Sequence, residues 1–367
     1  MLAACRGLSR AGYRASAAAS RTPALAHWSR CCEERLALPD PRQDGAAFAG
    51  RLEGLLRQRD HAVLLPGIEA SLLAVSAHRA ALEPLATLGL PPHGVVERCL
   101  DKVALLEAAG GAGIAAPESL CVETADVRRA AESLGFPVVV KPQRSFTPAG
   151  RALRQQNAAV AADVSGLAEL LPRFQGPLIV QRFEPYRPVI SVSGVRAGDR
   201  IRAVAVARYR RTWPPEAGPS CFSETIEPPP GLVERVHSLV AELGWEGIFQ
   251  LQLLDLGRGR FAALDLNPRL FGSLSLAVRA GANLPAIWCD WLLGRDERPV
   301  VTARAGVRYR WEEGEVRHLA WQLRRGRLSA AADILYPRRH VVRAYFELRD
   351  PGPLLARAVQ IVRRRRA

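Results

Sequence analysis

Two hydrophobic periods alternate along the first part of the chain. Phe48 and Arg51–Arg57, within AFAGRLEGLLRQ, gather apolar residues on one face and predict an amphipathic helix. Asp60–Pro66 reads as a short buried strand ended by Pro66-Gly67, and Ser71–Ala81 returns to helix. Upstream, Leu2–Leu8 fits the end of a helix, Gly12 its stop and Tyr13–Ala19 the next strand. This alternation predicts a parallel α/β sheet over residues 1–95. Such a domain normally opens on a strand and a glycine-rich turn, so its first strand is expected to be lacking.

The alternation continues downstream. Asp101 suits the N-cap of a helix running to Ala109 and stopped by Gly110-Gly111. Ser119–Glu123, Pro137–Pro142 and Pro177–Phe183 read as strands, Thr124–Leu134 and Ser165–Leu171 as helices. Gln143–Ala152 has no period and reads as a flexible stretch, with a return to strand in 155–162. Val189–Val195 and Arg200–Arg208 form a hairpin about Ala197-Gly198-Asp199; Phe249–Leu256 and Phe261–Leu266 form another about Gly257-Arg258-Gly259. Between them, proline-rich 212–230 reads as a long functional loop, followed by helix Leu232–Leu243. Ser273–Ala280 is helical, and the chain beyond a strand near Val307–Trp311 is mostly helical.

Composition narrows the function classes. An apolar share of 48% in 367 residues supports a sizeable core, and no run of about 18 apolar residues predicts a transmembrane helix. The net charge of +15 is spread along the chain, with one basic run at Arg363–Arg366. That tail reads as a solvated helix end rather than a specific nucleic-acid or lipid-binding element. Seven cysteines, an odd number with no C-x-x-C pair, and scattered histidines argue for a reducing, cytoplasmic setting without a zinc site. Arg6, Arg10 and Arg14 precede the first acid, Glu33, as in a transit peptide, but the helix–stop–strand pattern is the better reading.

Of 51 basic residues only Lys102 and Lys141 are lysine. Where arginine is used almost everywhere, a retained lysine marks a place for a slim point charge, such as a tight phosphate pocket. The second hairpin adds oxygen donors. Asp265 and Asn267 are two apart and share a strand face, and Gln252 on the partner strand reaches the same face. One carboxylate and two amide oxygens suit Mg²⁺, which keeps waters and phosphates as its other ligands. Arg269 follows, ready for a transferring phosphoryl group. Gly111-Ala-Gly113-Ile-Ala-Ala116 matches a dinucleotide fingerprint in letters only, because it follows a helix and runs into Pro117.

The string Asp265-Leu-Asn-Pro-Arg269 through Ser273 resembles the E-x-N-P-R segment of the ATP-grasp superfamily. The spacing Gly247–Gln252–Asn267 is similar to carbamoyl-phosphate-synthetase-like members. Leu100-Asp101-Lys102 with Gly113-Ile-Ala-Ala-Pro117, and Pro137-Val-Val-Val-Lys141, resemble the two lysine segments of the superfamily. The likeness spans about residues 95–295 and is strongest to uncharacterised carboligase-like proteins.

The resemblance implies an α/β and α+β protein with an ATP-grasp domain at 96–300, its small lobe about 118–182 and its large lobe about 183–300. An N-terminal pre-ATP-grasp domain (1–95) precedes it, and an extension (301–367) follows. ATP and Mg²⁺, with Mn²⁺ an alternative, are the implied cofactors. Gln252, Asp265 and Asn267 would hold the metal; Lys102, Lys141 and the strand end Gln181, Arg182, Phe183, Glu184 would hold the nucleotide; Arg269, Lys141 and Arg210 would act in catalysis. The implied reaction activates a small-molecule carboxylate as an acyl phosphate for attack by an amine. Asp265 stands where the family usually has Glu. Gln181-Arg182 and Pro188 stand where acids are usual, which motivates the alternative of a nucleotide-binding protein without ligase turnover.

Overall fold

The computed structural model describes residues 1–20, 24–184, 188–215, 218–295, 299–336 and 338–366. The side chains of Arg364, Arg365 and Arg366, on which the basic-tail reading rests, lie outside the described set.

The N-terminal part runs α1 (Leu2–Arg10), β1 (Ala17–Ala19), β2 (Arg35–Ala37), α2 (Gly45–Gln58), β3 (Val63–Leu64), α3 (Glu69–Ala77), α4 (Arg79–Leu82), β4 (Thr87–Leu88) and α5 (His93–Leu100). Gly12, at φ +86°, terminates α1 where only glycine is unstrained. Asp44 caps α2 by accepting from the Ala47 N–H at 2.8 Å. The predicted parallel pairing is present as two separate pairs, β1 with β2 and β3 with β4. A cavity of about 1080 Å³ is lined by residues of both pairs, among them Ala17–Ala19, Val63 and Leu64. The helix expected over Ser71–Ala81 is broken at His78, between α3 and α4.

Next come α6 (Lys102–Gly111), β5 (Ser119–Val122), α7 (Val127–Leu134), β6 (Val138–Pro142), β7 (Phe146–Ala149), β8 (Ala152–Gln155), β9 (Ala159–Ala161), α8 (Val164–Leu170) and β10 (Leu178–Arg182). Four strands form an antiparallel sheet in the order β5-β10-β6-β9. Val138, Val140, Leu178 and Val180 face the core shared with Val127 and Ala131 of α7 and Leu167 of α8. Alternation then turns Lys141 and Gln181 to the opposite face. The stretch Gln143–Ala152, expected to be flexible, contains β7 and the turn of the β7–β8 hairpin. Gly150 at φ +64° permits its tight reversal, a signal too short to register as a strand period.

The remainder comprises β11 (Val189–Ala197), β12 (Arg200–Thr212), β13 (Ser220–Thr225), α9 (Leu232–Glu242), β14 (Gly247–Gly257), β15 (Arg260–Asn267), α10 (Leu274–Arg279), α11 (Leu284–Leu292), β16 (Val301–Thr302), β17 (Arg308–Arg310), α12 (Glu312–Arg324), α13 (Leu328–Leu335), β18 (Val341–Arg343) and α14 (Gly352–Arg366). The large sheet has the order β15-β14-β11-β12-β13-β17-β18, with β16 beside β12. Phe249, Leu251 and Leu253 pack on one face with α9 residues Val236, Leu239 and Val240. Val195, Ala203 and Ile248 lie in a second core with Leu274 and Ala277 of α10 and Ile287 of α11.

Two readings of this region change. The 212–230 segment is not all loop: Ser220–Thr225 pairs with both β12 and β17. Its alternation of Cys221, Ser223 and Thr225 with Phe222 and Glu224 was masked by small residues and flanking prolines. The C-terminal extension is helical in bulk, yet β16, β17 and β18 all join the large sheet.

Candidate active site

The two lysines arrive from different elements. Asp101 caps α6 by accepting from the Val103 N–H at 2.9 Å, and its other oxygen accepts from Gln143 Nε2 at 2.7 Å. Lys102, the first residue of α6, donates from Nζ to Ser145 Oγ at 2.9 Å. The segment leading into the β7–β8 hairpin is thereby tied to the start of α6. Lys141, next to last in β6, is 4% exposed and donates from Nζ to Gln181 Oε1 at 3.4 Å. Burial pushes its pKa down to about 8; the Asp265 carboxylate opposes this, and Lys102 adds to it.

Register explains the oxygen donors. Gln252 lies directly across from Asp265, and Gln250 from Asn267. Gln252 donates from Nε2 to the Tyr209 hydroxyl at 3.3 Å, leaving its amide oxygen available. Tyr209 is itself buried, which pushes its pKa up to about 12 and keeps the hydroxyl neutral. Arg269 donates to Asn267 Oδ1 at 2.8 Å and to Leu270 O at 2.9 Å, while its buried Nε finds no partner among the described residues. No group of three or more His, Cys, Asp or Glu residues assembles among the described residues. The donors at hand, one carboxylate with amide oxygens, fit a hard cation that takes its remaining ligands from phosphate and water.

Asp265, Lys102, Asp101 and Ser145 meet around a pocket of about 10 Å³, room for one water. Glu69, the first residue of α3, lines the same pocket and was not singled out from the sequence. Burial raises its pKa, Arg269 and Lys102 oppose that, and Asp265 adds to it. The available signal was its place: a carboxylate just after the Pro66-Gly67 end of a parallel strand, where α/β units present their ligand-binding groups.

Of the other predicted residues, Gln181 adjoins Lys141, and the rest lie apart or at the edge. Gln181 is buried, with Nε2 donating to Ser119 Oγ at 2.9 Å. Arg182 pairs with Glu118 at 2.9 Å, and the Phe183 N–H donates to Pro137 O at 3.3 Å. Glu184 is half-buried. Arg210 donates to Glu224 at 3.3 Å, and Glu224 also pairs with Arg308 at 2.9 Å. Glu224 sits across from Arg208, whereas Ser223 sits across from Tyr209, so Glu224 is on the sheet face opposite Tyr209. The structure therefore brings Arg210 to Glu224 and not to Asp265.

Residues 188–315 match a family described as ATP-grasp in the biosynthetic pathway with Ter operon. The carbamoyl phosphate synthase large chain of Micrococcus luteus is 26% identical over 211 residues, 54% of this chain and 19% of that protein. The chain thus spans about a fifth of the length of that curated relative. Among solved structures, N5-carboxyaminoimidazole ribonucleotide synthetase of Thermus thermophilus superimposes with a TM-score of 0.61 at 16% identity, covering 84% of this chain and 78% of that one. Biotin carboxylase of Campylobacter jejuni gives 0.61 at 14% identity over 84% and 71%. An L-amino acid ligase of Bacillus licheniformis gives 0.59 at 16% identity over 81% and 74%. A small antiparallel sheet presenting Lys141 and a large sheet presenting Asp265 give the chain the fold of these solved structures, and its residues 188–315 match an ATP-grasp family.

Proposed function

We propose that the protein is an ATP- and Mg²⁺-dependent ligase that joins a small-molecule carboxylate to an amine through an acyl phosphate. The observation that carries this reading is the pocket that Lys102 and Asp265 line together, with the buried Lys141, the chain's other lysine, near enough to feel both charges. The known structures it resembles include a β,γ-ATP complex and an ADP complex, and one neighbour is an L-amino acid ligase. The domain limits we adopt are 1–95, 96–300 and 301–367. No helix among the described residues is long and apolar enough to cross a membrane, and a cytoplasmic site of action suits free thiols and small substrates.

In this reading Lys102 and Lys141 hold the ATP phosphates, and the strand end Gln181–Glu184 lies along the adenine. Gln252, Asp265 and Asn267 would hold Mg²⁺ (or Mn²⁺), which when bound neutralises charge on the phosphates. The substrate carboxylate oxygen attacks the γ-phosphorus, and the bond to the β-phosphate oxygen breaks with its electron pair leaving on ADP. Arg269, with its unpartnered Nε, holds the resulting acyl phosphate. The amine then attacks the acyl carbon, phosphate leaves with the C–O electron pair, and the nitrogen releases its proton. Phosphoryl transfer of this kind needs position and charge more than a base. The β7–β8 hairpin, anchored through Ser145 to Lys102, shields the intermediate from water.

A second reading, nucleotide binding without turnover, is favoured by one contact: Arg269 occupies Asn267 Oδ1, an oxygen the metal needs. The deciding experiment measures ADP release from ATP and Mg²⁺ across pooled carboxylates and amines. A ligase releases ADP only when both are present, and Lys141→Ala lowers the rate by about 100-fold or more. ATP binding with no substrate-dependent release from any pool supports the second reading.

A further inference from the structure

Glu69 stands at the junction of two spaces. On one side is the water-sized pocket it shares with Lys102, Asp101, Ser145 and Asp265. On the other is a cleft of about 310 Å³ between the N-terminal domain and the β7–β8 hairpin. The walls of that cleft are largely apolar: Ala46, Leu73, Ala77, Phe146, Pro148 and Leu153. Among its charged groups, Arg144 is already engaged, with Glu97 at 3.1 Å and Asp101 at 3.6 Å, and Arg151 is exposed at the hairpin turn. Glu69 forms no hydrogen bond or ion pair among the described residues, and its oxygens are not sealed from the cavity.

A cleft with apolar walls and a free carboxylate at its inner end has a definite chemistry. It pulls in a ligand with an apolar body and a hydrogen-bond-donating, positively polarised head. A carboxylate accepts N–H donors and offers none, so an amine is matched there, while a carboxylate or phosphate is repelled. The head placed at Glu69 then lies beside the pocket that Lys102 and Asp265 line. Lys102 and Arg269 also bear on the same spot.

Resting on the ligase reading above, we infer that the cleft between α2–α3 and the β7–β8 hairpin is the acceptor site, that Glu69 selects a primary amine there, and that Phe146 and Leu73 grip its apolar body. Glu69 is thus a specificity-determining residue supplied by the N-terminal domain, and the acceptor is an amine with a hydrophobic substituent rather than ammonia or a polyanion.

The test is direct binding, which needs no turnover. Phenethylamine and its hydroxyl counterpart 2-phenylethanol are titrated into the full chain, with melting curves confirming that each variant is folded. Wild type is expected to prefer the amine by about 10-fold. Glu69→Gln abolishes the preference, and Phe146→Ala weakens both ligands about 5-fold while keeping it. Equal affinity for the two ligands in wild type, or an amine preference that survives Glu69→Gln, overturns the inference. A Glu69→Gln protein whose only defect is weaker Mg²⁺ binding overturns it as well, by assigning Glu69 to the metal. Trapping with hydroxylamine separately reports acyl-phosphate formation. If wild type makes no hydroxamate from ATP and any carboxylate yet shows Glu69-dependent amine preference, the ligase reading has failed and the amine site stands.

Discussion

Gln252 donates its amide N–H to the Tyr209 hydroxyl at 3.3 Å, so the tyrosine fixes which end of the amide faces Asp265. Tyr209 is buried and also bonded to Ser191, and it cannot turn away easily. Removing the hydroxyl frees the amide to rotate and point nitrogen at the cation. Tyr209→Phe is therefore expected to raise the Mg²⁺ concentration for half-maximal ADP release about 5-fold, the worth of one hydrogen bond of about 1 kcal/mol. ATP affinity in EDTA should hardly change. A Mg²⁺ titration at saturating ATP reads the effect, and an unaltered midpoint would remove Tyr209 from the site.

Lys141 gives a pH dependence with a definite sign. Its pKa of about 8 lies below the usual lysine value of 10.5, because burial penalises the ammonium. Below pH 8 it is charged and ready for phosphate. Above pH 8 it is increasingly neutral, so ATP binding must draw in a proton, and affinity should fall by up to tenfold per pH unit until the pH reaches the pKa of the complex. Calorimetry in EDTA, repeated in two buffers of different ionisation enthalpy, should show proton uptake at pH 9 and little at pH 6.5. The same shift works against the fold at neutral pH: the unfolded chain holds the proton more tightly, so the deficit is full below about 8 and is relieved as pH rises toward 10.5. Lys141→Met should accordingly raise stability at pH 7 while losing ATP.

Legibility from sequence followed the strength of the local pattern. Asp265 and Asn267 were readable because strand alternation forces a common face, and register then set Gln252 across from Asp265. Lys102 and Lys141 were readable from rarity and from capping and strand-end contexts. Glu69 was hidden because its place beside Lys102 and Asp265 depends on how α3 meets α6 and β15, which no local period encodes. Strand β13 was hidden for the opposite reason: its partners β12 and β17 are far apart in sequence, and its small residues dilute the hydrophobic alternation. Arg210 entered through the family resemblance, and the structure places it on Glu224, beside a register shift between Tyr209 and Arg211.

Glu315 anchors the C-terminal extension to the sheet. It receives two hydrogen bonds from Arg211, at 2.8 and 2.9 Å, and pairs with Arg310 at 3.2 Å, and its side chain is 4% exposed. Glu315→Ala leaves Arg310 without this counter-charge and Arg211 with Asp333 alone, at 2.7 Å, and removing one member of a buried pair costs about 3–5 kcal/mol. Urea denaturation should show that loss, while Glu313→Ala, on the same helix, should cost less. A loss under 1 kcal/mol for Glu315→Ala would mean that the arginines find water.

Gly194 sits mid-strand in β11 for want of space rather than for its backbone angle. A Cβ built there would lie 2.5 Å from Ala203 O on β12 and 3.2 Å from the Phe249 ring. The carbonyl belongs to the neighbouring strand and cannot yield without parting β11 from β12, and Phe249 is fully buried under α9. Overpacking at such a point costs about 1–3 kcal/mol, and parted strands add to it. Gly194→Ala should therefore destabilise the protein by at least about 2 kcal/mol, although alanine is ordinarily preferred over glycine inside a strand. Because β11 separates β12, which carries Tyr209, from β14, which carries Gln252, the same change should widen the Tyr209–Gln252 contact and raise the Mg²⁺ requirement in parallel with Tyr209→Phe. Thermal melting and the Mg²⁺ titration together check this: a stability loss with an unchanged Mg²⁺ midpoint would show that strain at Gly194 does not reach the donors across the sheet.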